Sequence, residues 1–161
     1  MDFDPEIAQL VEDLRQDRVH GASRLSLQAV GTLRLAAEKS SAVSTAYFLD
    51  QMKAVARELA EVRPSMAPIA NLVALWFHEI TQEPGNDLAS LRSLAVLSAD
   101  RIIRMRKGAS NRLAEHGAQV VDQGDRLITC SNSSAISWSL RLARLTSKEF
   151  TVFVAESRSS E

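Results

Sequence analysis

The segment "ITCSNSSA", Ile128 to Ala135, gathers the side chains best suited to chemistry. It reads as a strand ending in a Ser/Asn loop at the start of a helix. Such a loop points backbone N–H groups and the positive end of a helix dipole at one place, where phosphate is a natural ligand. Asn132, Ser133 and Ser134 are the candidate phosphate contacts. Ser133 or Ser134 equally suits ordinary N-capping, and the residues alone leave both readings open. Cys130 is the sole cysteine, which excludes an internal disulfide and a cysteine-rich metal site. The histidines His20, His78 and His116 are far apart and show no ligand spacing. Neither a metal nor a cofactor is expected.

Other residues carry charge without a chemical pattern of their own. "DRIIRMRKGASNR" contains Arg101, Arg104, Arg106, Lys107 and Arg112. Interleaved Ile102, Ile103 and Met105 are helix-packing residues, and Asp100 and Glu115 offset part of the charge. A solvated helix face fits better than a nucleic-acid surface. His20-Gly21 reads as a turn between two helices. Arg63-Pro64 reads as a helix break with a surface arginine.

The elements that must position these residues are mainly helical. Hydrophobic residues make up 45% of 161 but aromatics only 5%, so the core must be built from Leu, Ala, Val and Ile. Net charge is −1, so no overall field draws the chain to nucleic acid or an anionic membrane. No apolar run approaches the ~20 residues of a membrane span, and the acidic start lacks a signal-peptide pattern. A soluble, cytoplasmic protein is the default expectation.

Helical spacing predicts a first helix from Pro5 to near Asp17 and a second beginning at "GAS". A third covers about Ser44 to Glu61, and a fourth about Ser65 to Thr81. "QEPGND" predicts a turn. A long helix follows from Leu88 to about Val120, its stripe marked by Leu91, Leu94, Ala95, Ile102, Met105, Ala109 and Leu113. At ~1.5 Å per residue it approaches ~50 Å, with a kink or interruption expected at Gly108. Trp76, Trp138, Met52, Met66 and Met105 are expected in the core. Beyond "DQGD" the character changes: "RLITC" and "FTVFVAES" read as strands and "AISWSLRLARL" as a helix between them. A strand–helix–strand crossover implies parallel pairing. The expected fold is therefore a helical domain over 1–121 and an incomplete Rossmann-like α/β segment over 122–161.

"GASRLSLQAVGTL", "EVRPSMAPIANLV", "RLAEHGAQVVDQGDRLITCSNSSA" and "FTVFVAESR" occur in an order that resembles the translation initiation factor 2B alpha/beta/delta family. That family also contains ribose-1,5-bisphosphate and methylthioribose-1-phosphate isomerases. The resemblance runs from about Ile7 to Arg158 and implies the N-terminal part of the family pattern, whose chains continue past "ESR". It implies that "VHGAS" corresponds to the family's phosphate-contacting "RGA", with Gly21 and Ala22 matched and His20 in place of the arginine. "RPSMAP" is similar to the family's "RPT", making Arg63 a phosphate contact. The loop resembles the isomerases' "THC". Aligning Thr129 with that threonine puts Cys130 at the histidine and Ser131 at the catalytic cysteine. Ser131 and Cys130 are therefore weak catalytic candidates. Neighbours in an extended chain project to opposite sides, and a serine without a base is a poor nucleophile or acid.

The resemblance thus implies a non-catalytic protein or fragment that works in protein–protein assembly, as a homo-oligomer or with a related family subunit. A sugar phosphate or nucleotide would be its ligand. The alternative is a sugar-phosphate aldose–ketose isomerase that needs a second chain or a further domain.

Overall fold

The computed structural model describes residues 4–82, 87–130 and 133–155. The chain forms two compact units, Met1–Arg106 and Lys107–Glu161. Helices α1 (Pro5–Gln16), α2 (Ala22–Lys39), α3 (Thr45–Glu61) and α4 (Ala67–Thr81) belong to the first, and α5 (Leu88–Val120) continues from it into the second. The second unit adds β1 (Arg126–Thr129), α6 (Ser134–Leu145) and β2 (Thr151–Val154). No helix among the described residues is long and apolar enough to cross a membrane.

Local chemistry accounts for the helix starts. Pro5 follows Asp4, whose carboxylate accepts the Glu6 N–H at 2.9 Å. Ser44 caps α3 through the Tyr47 N–H at 3.2 Å. Asp87 caps α5 through the N–H groups of Ala89 and Ser90 at 2.9 and 3.0 Å. The fourth helix starts at Ala67 rather than Ser65, because Arg63–Met66 closes a turn first, Met66 N–H to Arg63 O at 2.8 Å. The turn expected across 82–87 lies mostly outside the described residues.

The first unit's core is aliphatic, as the scarcity of aromatics requires. Leu25, Leu33, Phe48, Leu59, Ile69, Trp76 and Ile102 are fully buried within it. The Trp76 indole N–H donates to the carbonyl of Ala95 at 2.8 Å, so the largest core side chain leaves no unpaired donor.

In the second unit β1 and β2 are parallel, pairing Arg126 with Thr151, Leu127 with Val152, Ile128 with Phe153 and Thr129 with Val154. Leu127, Leu140, Leu142 and Phe150 pack around buried Ala118, Val121 and Ala143. Gly124, at φ +85°, makes the turn into β1 that an L side chain resists. Its N–H donates to Glu149 O at 2.7 Å, and Lys148 Nζ reaches the carbonyls of Ala118 and Val121 at 3.1 and 2.5 Å. The ammonium thereby satisfies the last turn of α5.

Several expectations are corrected. Trp138 is 57% exposed, with Arg141 5.5 Å over its ring, because α6 buries only Ala143. Met105 and Leu113 are also exposed. Ile102 is the last fully buried position of the first unit's core, and the apolar stripe of α5 continues in sequence past it. Met66 is half-buried, while Met52 and Trp76 are in the core. The helix runs through Gly108 unbroken.

Two glycines of α5 predict opposite outcomes. A Cβ at Gly117 would lie 2.7 Å from the Cβ of Ser139 and still closer to its hydroxyl, whereas at Gly108 the nearest atom is an Arg112 side-chain nitrogen at 3.5 Å. Gly117→Ala forces α5 and α6 apart and should destabilise the second unit by about 1–3 kcal/mol. Gly108→Ala should instead stabilise by up to about 1 kcal/mol through helix propensity. Thermal unfolding followed by circular dichroism compares them, and equal melting points would contradict the packing described.

Candidate functional site

The sequence candidates fall in both units, and each group has its own geometry. In the first unit, α1 ends at Asp17, which turns out of the helix with extended backbone. Its carboxylate then organises the next three residues. One oxygen accepts the N–H groups of Val19 and His20, both at 2.8 Å, and the other lies 2.6 Å from His20 Nδ1. An aspartate that binds the backbone just ahead of it is the usual chemistry of a tight loop. The hydrogen bond from the His20 ring, with those from the His20 and Val19 backbone, pulls the Asp17 carboxyl down to about 2, against a smaller opposing effect of burial.

Gly21 is the N-cap of α2 and provides no side-chain cap. Its φ of −78° is open to any residue, and an added Cβ would meet nothing within 4 Å. Neither strain nor packing accounts for glycine here. Its carbonyl accepts from Arg24 and Leu25, starting the helix, and Ala22 is the first helical residue. Arg63 comes to this loop from the α3–α4 turn, its Nη1 donating to the backbone carbonyl of Asp17. Gly21, Ala22 and Arg63 are thus carried by two neighbouring turns, although 42 positions separate Gly21 from Arg63. Arg63 is half-buried and braces one turn against the other, which a plain surface arginine would not do.

In the second unit β1 ends at Thr129, and Cys130 follows as an exposed free thiol. Ser131 and Asn132 lie outside the described residues. Ser133 occupies the N-cap position of α6, and its carbonyl accepts the Ser137 N–H at 2.9 Å. Its hydroxyl makes no capping bond, so the position is as expected while the side-chain bond is not formed. Ser134 opens the helix and is exposed. Beside the strand end is an apolar cavity of about 350 Å³, lined by Leu113, Gly117, Leu127, Thr129, Ile136 and Leu140 among others.

The basic run of α5 is partly neutralised. Arg101 pairs with Glu79, and Asp100 accepts from Arg34 at 2.9 Å. Among the described residues no three His, Cys, Asp or Glu side chains gather as a metal site.

Sequence reasoning missed Asp17, which served only to mark the end of a helix. It is the residue that joins His20 to Arg63. The available signal was its place three residues ahead of a histidine at a helix end.

Comparison with known proteins follows the same residues. The model of the initiation factor 2 subunit family matches 18–160. The chain is similar to a ribose 1,5-bisphosphate isomerase of Thermococcus kodakarensis, 30% identical across 95% of this chain and 48% of that one. It is also similar to a putative translation initiation factor eIF-2B subunit 2-like protein of Pyrococcus furiosus, 30% identical across 94% of this chain and 50% of the relative. Among solved structures, the translation initiation factor eIF-2B of Pyrococcus horikoshii superposes with a TM-score of 0.78, at 25% identity, over 94% of this chain and 50% of that one. The fold also matches the tetrameric eIF2B-beta2-delta2 complex of C. thermophilum, with a TM-score of 0.79 at 19% identity, over 96% of this chain and 52% of that one. The chain spans about half the length of these relatives. A match over so much of the sequence, with the fold to accompany it, establishes that this chain belongs to the initiation factor 2 subunit family.

Proposed function

We propose that this chain acts in protein–protein assembly within its family, as a homo-oligomer or with a family subunit, and binds a phosphorylated small molecule through the Gly21–Ala22 and Arg63 turns. Strand β1, helix α6 and strand β2 are read as the opening of a Rossmann-like sheet. The observation that carries assembly is the sheet itself. Ile128 and Phe153 are register partners, so they share a face, and they are 79% and 46% exposed. Val154 is exposed as well, and Arg126 lies 5.3 Å over the Phe153 ring. Parallel strands are ordinarily covered on both faces, and an apolar face with open edges is a pairing surface. The C. thermophilum relative was solved as a complex of family subunits, which fits the same reading.

The reading is non-catalytic because the only thiol, Cys130, sits one position ahead of Ser131, the residue aligned with the isomerases' cysteine. Side chains alternate along an extended segment, so a one-residue shift turns the thiol to the other side. A serine in its place needs a base to be activated.

The isomerase reading stands beside it on a specific observation: two turns that the resemblance links to phosphate meet in the first unit, joined by Arg63 and Asp17. The relative from Thermococcus kodakarensis carries the isomerase name.

Light scattering on the purified chain tests assembly. Oligomers are expected at high concentration or on mixing with a family subunit, and Ile128→Lys with Phe153→Lys should return them to monomers with helical circular dichroism unchanged. A wild-type chain that stays monomeric alone and in the mixture overturns the reading.

Calorimetry with ribose 1,5-bisphosphate tests the ligand. Arg63→Ala should weaken binding about 10- to 100-fold, the value of a lost charge-assisted hydrogen bond. Conversion to ribulose 1,5-bisphosphate, abolished by Ser131→Ala, would establish the isomerase instead.

A further inference from the structure

Strand β1 has one edge in use and one open. In its sheet it pairs with β2 alone. The N–H groups of Thr151 and Ala155 donate to the carbonyls of Asp125 and Thr129 at 2.8 and 2.7 Å, so these positions of β1 turn their backbone groups toward β2. Backbone groups alternate along a parallel strand. The N–H and C=O of Arg126 and Ile128 therefore lie on the other edge, where no strand meets them among the described residues. Unpaired donors and acceptors in a row are a template for another strand.

Nothing in "RLIT" guards that edge. It has no proline, and its register with β2 runs unbroken, so no bulge twists it away. Its one charge, on Arg126, is held 5.3 Å over the Phe153 ring of the neighbouring strand. The apolar cavity of about 350 Å³ lies beside the same edge, lined by Leu127, Ile128 and Thr129. Successive side chains of a strand stand on opposite faces, so three consecutive residues border one cavity where it reaches the strand's edge. Leu113, Val120 and Ile136 also line it, and they are 56%, 79% and 41% exposed. Open backbone groups and uncovered apolar side chains thus meet solvent at one place.

We infer that the free edge of β1 pairs with the same edge of a second copy, antiparallel and about a twofold axis, to form one sheet that runs β2–β1–β1–β2. The inference rests on the assembly reading and deepens it, because it names the surface by which copies join. Arg126 and Ile128 each offer a donor and an acceptor. Setting Arg126 of each copy opposite Ile128 of the other answers all of them and keeps the two guanidinium groups from facing each other. The arrangement brings the cavity mouth of one copy beside that of the other, and it closes with two copies. Addition of β2 from the next copy to β1 would leave an open edge at each end and build a chain of copies instead.

Amide hydrogen exchange of the full chain, followed by NMR from dilute to concentrated samples with light scattering on the same samples, reads this pairing directly. Dimers are expected, with exchange at Arg126 and Ile128 slowing about tenfold or more as they form. Arg126→Pro removes the outward N–H at the first position of the strand, where proline leaves the pairing with β2 intact. One hydrogen bond is lost from each copy, so the dimer should dissociate about tenfold more readily, with helical circular dichroism unchanged. If Arg126→Pro does not fold, the exchange measurement on the unaltered chain decides alone. Dimers whose Arg126 and Ile128 amides exchange as fast as in dilute solution overturn the edge pairing and leave assembly through another surface standing. Slowing that requires an added family subunit, or species that grow beyond the dimer, overturns the second copy as the twofold partner. A chain that is monomeric at every concentration, alone and with a family subunit, overturns both the inference and the assembly reading.

Discussion

Parallel pairing of β1 with β2 is the constraint from which the second unit follows. Two parallel strands cannot be joined by a tight turn, so the chain must cross over, and α6 is that crossover. One helix covers one face. Leu127 and Val152 line the cavity with Leu140 and Ala135, while the register partners Ile128 and Phe153 keep much of their side chains exposed. The apolar residues left in water are thus a result of topology rather than of an unusually greasy sequence. Among the described residues of this unit, the buried hydrophobic ones are Ala114, Ala118, Val121 and Ala143.

The first unit shows the opposite economy. Its core is closed, its one buried indole is hydrogen-bonded, and its polar interest lies in a single carboxylate. Asp17 ends α1, binds the loop that leads to α2 and anchors the arginine from the α3–α4 turn. Two loops far apart in sequence are registered on one residue. Changes there alter charge, loop shape and the placement of Arg63 together.

Helix positions were legible from the apolar period, and the structure then supplies the caps at their starts. Starts expected at Pro5, about Ser44 and Leu88 are kept, and Asp4, Ser44 and Asp87 cap them. The parallel strands were legible from β-branched and aromatic residues on either side of a helical stretch. Burial was less so. Trp138, Met105 and Leu113 satisfy the helical period yet stay exposed, because periodicity describes one helix, not what lies against it. The close approach of Gly117 to Ser139 could not be read because it depends on where two helices meet. At the candidate site, the nearness of Arg63 to the α1–α2 loop had no local signature. It depends on α2 and α3 returning the chain to its starting level, and Asp17 acquires its meaning only then. The loop positions Ser131 and Asn132 lie outside the described residues, so their expected roles rest on the resemblance.

Lys148 joins two events that would otherwise be separate. Its ammonium holds the final carbonyls of α5, while the next residue, Glu149, is bonded to Gln123 and Gly124 in the turn before β1. Fraying of that helix end therefore disturbs the residues that lead directly into β2. This links the end of α5 to the start of β2, so local opening of one should be felt by the other.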